Sequence, residues 1–184
     1  MIMVKEKIQK AFENLKESLG YSNAMVVPRV EKVVVSSGVG KRAKTNKNFI
    51  ELVTDRLSII TGQKPAARPA KKSIAGFKIR QGDPVGLSVT LRGSRMIQFL
   101  DKLIHVALPR TKDFRGIKRS AVDSMGNLTI GIKEHTIFPE VADEELSNTF
   151  GLSIVLVSSA KTRDEAMKYF EYIGIPFAKE KEAK

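Results

Sequence analysis

Two short stretches limit the fold more than any others. In PVGLSVTLR, residues 84–92, Val85, Leu87, Val89 and Leu91 alternate with Gly86, Ser88, Thr90 and Arg92. In NLTIGIK, residues 127–133, Leu128, Ile130 and Ile132 alternate with Asn127, Thr129, Gly131 and Lys133. Successive side chains on a strand point to opposite faces, so a period of two means a sheet with one buried face and one open face. VEKVVVSS (30–37) and LSIVLVSS (152–159) read as two further strands. KPAARPA (64–70) is a poor strand, because its prolines suit only an edge.

Apolar residues at helical spacing predict four helices. The first runs from Met3 to Leu19, with Val4, Ile8, Ala11, Phe12, Leu15 and Leu19 on one stripe and Gly20 as its stop. The second starts near Asn48 and stops at Gly62, and the third follows Ser94 and ends before Pro109. The fourth opens on Thr162 and Glu165, the pair of a capping box, and ends at Gly174 and Pro176. There is no internal repeat and no linker. Residues 1–184 are therefore expected to form a single α+β domain, a mostly antiparallel sheet with helices on one face and the other face open.

The open face is where function is expected. It shows Ser88, Thr90, Arg92, Asn127, Thr129 and Lys133, small hydrogen-bonding groups with two cations. An RNA-recognition sheet that stacks bases needs exposed aromatics on its strands, and none stand here. Such a face fits RNA backbone, 2′-hydroxyls and helix shape. The alternative is a polar face that meets only water.

The charge points the same way. The net charge is +12, and it is uneven: residues 32–100 hold fourteen basic and three acidic side chains, whereas 101–184 hold thirteen of each. TGQKPAARPAKKSIAGFKIRQG (61–82) carries Lys64, Arg68, Lys71, Lys72, Lys78 and Arg80 with no acid. Like charges repel, so such a cluster costs free energy unless a polyanion or solvent screens it. It is a solvated loop, a disordered basic arm, or a surface made for phosphates. The few apolar anchors of residues 70–82 predict that this loop is mobile in the free protein and dispensable for folding. Phe77, between Gly76 and Lys78, either folds back over its own loop or meets an RNA sugar or base. Nucleic acid leads over an anionic membrane as partner, because no helix joins a strongly basic face to a bulky apolar one. No apolar run approaches the roughly 18 residues needed to span a bilayer. The N-terminal segment mixes charges of both signs and does not read as a signal peptide.

Motifs for catalysis are missing. Gly38-Val39-Gly40-Lys41 follows a strand, but a P-loop needs glycine where Val35 stands and Ser or Thr where Arg42 stands. The plainer reading is a turn whose glycines take positive φ. Lys41, Arg42, Lys44 and Lys47 follow it as a second basic cluster. His105 reads as a helix residue, and His135 has no evident companions for a metal. Asp143, Glu144 and Glu145 read as the first turn of a helix, where carboxylates are favourable. There is no cysteine, hence no disulfide or thiolate site. No catalytic residue, metal or cofactor is expected. An RNA-processing enzyme would need a cofactor loop or a clustered acid/base set, and a DNA-binding module a basic recognition helix.

VPRVEKVVVSSGVG (27–40), ITGQKPAARPAKKSIAGFKIRQGDPVGLSVTLRGSRM (60–96), ALPRTKDFRGI (107–117), GNLTIGIKEHTIFPE (126–140) and GIPF (174–177) resemble the bacterial large-subunit ribosomal proteins of family five. The resemblance runs in register from Tyr21 to Phe177. It implies a non-enzymatic α+β protein of the cytoplasmic ribosome, monomeric in isolation. It implies 5S rRNA as principal partner in the central protuberance, with contacts to 23S rRNA and to small-subunit ribosomal protein thirteen. It further implies that the basic loop, Ala70 to Gly82, reaches P-site tRNA through Lys71, Lys72, Ser73, Phe77, Lys78 and Arg80. For 5S rRNA it points to Ser36, Gln63, Lys64, Thr90 and Arg92. Ser36 stands where the family has asparagine, and Met125 and Leu128 where it has arginine and tyrosine. A serine lacks the amide's reach and second donor, so its contact would be lost or made through water. The tail 178–184 is expected to be disordered.

Overall fold

The computed structural model describes residues 3–43, 46, 48–112, 114–141 and 148–178. Lys44, Lys47, Asp143, Glu144, Glu145 and the tail beyond Ala178 lie outside them.

Five strands form one sheet in the order β2-β3-β1-β5-β4: β1 Val30–Gly38, β2 Ala66–Pro69, β3 Pro84–Leu91, β4 Leu128–Ile132 and β5 Leu152–Ser158. The helices are α1 Met3–Gln9, α2 Ala11–Leu19, α3 Gly40–Ala43, α4 Phe49–Thr61, α5 Gly93–Lys102 and α6 Arg163–Ile173. The architecture is the expected α+β with an open antiparallel sheet. The proline-bearing KPAARPA segment supplies the edge strand β2. Pro69 pairs with Pro84 where the β2–β3 register slips, a point at which neither residue has an N–H to give.

The residues divide into two compact units, 34–91 with 131–154, and 1–33 with 92–130 and 155–184. The first unit builds its core from alternate positions of the strands. Val35, Leu87, Val89 and Leu91 are buried, and α4 lays Phe49, Val53, Leu57 and Ile60 against β3. α4 stops at Gly62, whose φ of 67° lets its N–H reach the Ser58 carbonyl. In the second unit α1 packs on α5 and α6, and α2 on α6. Thr162 caps α6 by accepting the Glu165 N–H at 3.3 Å, while the Glu165 carboxylate accepts from Lys161 N–H at 2.8 Å. The four predicted helices are all present.

Three details differ from the sequence reading. The first helix is broken at Lys10, where φ and ψ are −89° and 5°. The Asn14 side-chain amide donates to the Lys10 carbonyl at 3.1 Å and competes for it at the break. The third helix passes at Leu103 into a π-helical turn, Leu103–Ala107, which carries Leu103, Ile104 and Ala107 into the core. Gly38 and Gly40 do not have positive φ. Gly40 instead opens α3 beside β3, and a Cβ there would lie 3.3 Å from Val85 Cα and Cβ. Close approach, not a left-handed turn, is what asks for glycine at 40.

Candidate nucleic-acid interface

In the first unit, β2 and β3 form an antiparallel ribbon, Ala66 opposite Ser88 and Arg68 opposite Gly86. With no side chain on Gly86, Arg68 lies across the ribbon, and its Nε donates to Ser88 Oγ at 2.7 Å. Ser88 is thereby 9% exposed, so it is not part of the open face as the alternation implied; the Arg68 side chain covers it. Thr90, two residues on, stays half-buried on the face away from Val89 and Leu91. Val39 N–H donates to the Val85 carbonyl at 3.0 Å. β1 and β3 are neighbours in the sheet, and Val35 of the one and Val89 of the other are both buried. Ser36 is half-buried, and its hydroxyl reaches the Ser153 carbonyl at 3.4 Å. Gln63 and Lys64 enter the ribbon from the end of α4. The Thr61 hydroxyl lies 2.7 Å from the Leu57 carbonyl and 3.0 Å from the Gln63 carbonyl, which share its single proton at this turn. Lys64 is exposed and Gln63 half-buried.

Beyond the paired prolines the chain continues as a hydrogen-bonded hairpin. Ala70 N–H donates to Asp83 C=O at 2.8 Å, and Gly82 N–H to Ala70 C=O at 3.0 Å. Ile74 and Ile79 exchange two bonds of 2.9 and 3.2 Å. A 3₁₀ turn, Ala75–Phe77, makes the tip. Lys71, Lys72, Ser73, Lys78 and Arg80 are all exposed. Phe77 is 70% exposed, so its own loop covers little of the ring.

Other predicted residues fall elsewhere. Arg92 is exposed but belongs to the second unit, at the start of α5. In that unit Asn127 is not an open-face group. Its side chain donates to Asp123 Oδ2 at 3.0 Å and accepts Ser158 N–H at 3.3 Å, bracing a turn. Thr129 is exposed there, as is Lys133 in the first unit. Met125 is 69% exposed, whereas Leu128 is fully buried. In the first unit Arg42 donates to the Thr149 carbonyl, with its guanidinium 5.5 Å from the Phe49 ring centroid. His135 is fully buried, stacked on Phe150 at 4.0 Å. Burial holds its pKa below 6.5, and the nearby Arg56 charge adds to that. His105, in the second unit, is exposed beside Asp101 at 3.5 Å. Among the described residues no group of three His, Cys, Asp or Glu side chains could hold a metal ion, and no helix is long and apolar enough to cross a membrane. Sequence reasoning missed Arg68 as a cross-strand clamp. Its signal was the glycine at 86, legible only once β2 is paired with β3.

An open α+β sheet, an excess of positive charge and a ribbon that holds its cations outward define a class, proteins that face a polyanion. The comparisons with known proteins give that class a family. The ribosomal protein L5 model matches residues 23–80, and the model of that ribosomal family's C-terminus matches 84–177. The chain is 48% identical over 180 residues to the large ribosomal subunit protein uL5 of Thermoanaerobacter sp. (strain X514), covering 97% of this chain and 100% of that protein. It is also 48% identical over 164 residues to the uL5 of Natranaerobius thermophilus, covering 89% and 91%. The chain belongs to the ribosomal protein L5 family, a non-enzymatic one.

Proposed function

We propose that this chain, a structural constituent of the large subunit of the cytoplasmic ribosome, binds 5S rRNA and helps attach it to 23S rRNA in the central protuberance. Ser36, Gln63, Lys64 and Thr90 of the first unit, with Arg92 of the second, contact the 5S RNA. The hairpin 70–82 meets P-site tRNA through Lys71, Lys72, Ser73, Phe77, Lys78 and Arg80. Small-subunit ribosomal protein thirteen is the partner across the subunit interface, and the free chain is a monomer and a single folding domain. The observation that carries the reading is the ribbon's charge. All six cations from Lys64 to Arg80 are exposed, and no acid lies among them. Phosphates are the ligands that such an array holds without sequence-specific base contacts.

The test is recovery of the tagged protein from a cell extract in which ribosomes have been dissociated, followed by sizing and sequencing of the bound RNA. The proposal expects 5S rRNA as the dominant species. RNA recovered in proportion to its abundance, with no enrichment of 5S, would overturn it.

A further inference from the structure

Asp83 is the sole acidic residue between Asp55 and Asp101, set at the root of the most basic loop in the chain. An acid among cations is ordinarily drawn into an ion pair. Among the described residues Asp83 makes none. Its Oδ2 instead accepts the backbone N–H of Arg80 at 2.8 Å, and its own N–H donates to the Arg80 carbonyl at 3.2 Å. Across the hairpin, Ser73 Oγ accepts the Gln81 N–H at 3.0 Å. These side-chain bonds flank the Ile74–Ile79 bridge and the closing pair of Ala70 with Gly82 and Asp83. At the tip Lys78 holds φ 51° and ψ 39°, the only non-glycine among the described residues with positive φ. A lysine keeps that conformation where its surroundings over-determine it. Beneath the root, Ile79 and Asp83 line a pocket of about 300 Å³ with Ile50, Pro84 and Val85.

We infer that Asp83 and Ser73 are positioning residues that hold the basic hairpin in one preformed shape for its RNA partner, an inference that rests on reading the loop as an RNA contact. A loop of free residues would lose its backbone freedom on meeting a rigid polyanion, and that loss subtracts from affinity. A hairpin already closed by its own bonds keeps its cations at fixed spacing and loses far less. Freeing even one residue is worth about a tenfold change in equilibrium. The inference and simple charge predict opposite signs at Asp83. Removing the carboxylate raises the net positive charge, so electrostatics alone predicts tighter binding to a polyanion. Loss of the Arg80 anchor predicts weaker binding.

The first measurement is amide hydrogen exchange on the free protein without RNA. Ile74, Ile79, Arg80 and Gln81 are expected to exchange at least roughly tenfold more slowly than an unstructured chain. Exchange at unstructured rates would overturn the inference. The second uses ribosomes carrying Asp83→Ala, Asp83→Asn or Ser73→Ala and reads P-site tRNA retention. Asp83→Ala and Ser73→Ala keep every cation yet are expected to weaken retention about tenfold. Asp83→Asn loses the charge but keeps an acceptor oxygen, and is expected to retain tRNA as well as the parent. Retention unchanged or improved in Asp83→Ala would overturn the inference. A variant with Lys71, Lys72, Lys78 and Arg80 all changed to Ser separates the two claims. Normal retention there, with amide protection intact, means that the loop is not the tRNA contact and takes the positioning role with it.

Discussion

Thr90 stands between Val89 and Leu91, both buried, and keeps its hydroxyl on the opposite, half-open side of β3. Thr90→Val preserves the shape and removes only that hydroxyl. Binding to 5S rRNA is expected to weaken by roughly 1–3 kcal/mol if the group is desolvated in the complex, with little change on an unrelated RNA duplex. Parallel titrations check this, and equal losses on both RNAs would contradict the assignment. Thr90 was readable from the alternation alone, because a period of two needs no knowledge of the neighbouring strand. Ser88 has the same parity and was misread, because the side chain that covers it comes from Arg68, twenty positions earlier. His135 offers a second test in the same unit. Its neutral form is favoured in the folded state, first by burial and then by Arg56, so its folded pKa lies below 6.5. As pH falls, the unfolded chain takes up this proton first. The histidine's contribution to stability is complete above pH 6.5 and is lost as pH drops below that value toward the folded pKa. Melting temperature is expected to fall between about pH 7.5 and about pH 5, and His135→Phe is expected to flatten that part of the curve. An unchanged pH profile in His135→Phe would assign the loss to other groups.

Among the elements, the helices and the central strands were legible because local periodicity and caps mark them. The joints between distant segments were not. FRGI and IPF sit sixty residues apart in the sequence, yet Ile117 pairs with Phe177 in parallel, with Ile117 N–H donating to Pro176 C=O at 2.8 Å. Gly116 makes that joint possible. Its φ is +94°, and a Cβ there would lie 2.5 Å from Ala178 N and 2.7 Å from Ala178 Cα. Both the conformation and the space exclude a side chain, and the neighbours are backbone atoms that cannot swing aside. Gly116→Ala is expected to destabilise the protein by about 2–4 kcal/mol, read as a lower midpoint in urea unfolding. A midpoint within error of the parent would mean that this joint contributes nothing to stability. The π-helical turn after Lys102 was equally hidden, since an apolar residue serves an α-helical or a π-helical register alike.

For the whole molecule, the boundaries of the two units fall inside β1, β4 and β5, at 33/34, 130/131 and 154/155. A chain of this length that folds as a single domain is expected to show one cooperative urea transition, with coincident fluorescence and circular-dichroism curves. Two resolved transitions would make the units separate domains. Charge at this scale was the most legible property, because it needs only counting: residues 32–100 hold fourteen basic and three acidic side chains. Which phosphates meet which cations was not legible, because that depends on RNA surfaces no protein sequence contains. The central claim is that structured RNA is held largely through its phosphates by this charge. Titration of 5S rRNA at several salt concentrations tests it most directly. With about four to six cations on phosphates, the logarithm of the affinity is expected to fall against the logarithm of salt with a slope of roughly −3 to −5. A slope near zero would contradict it.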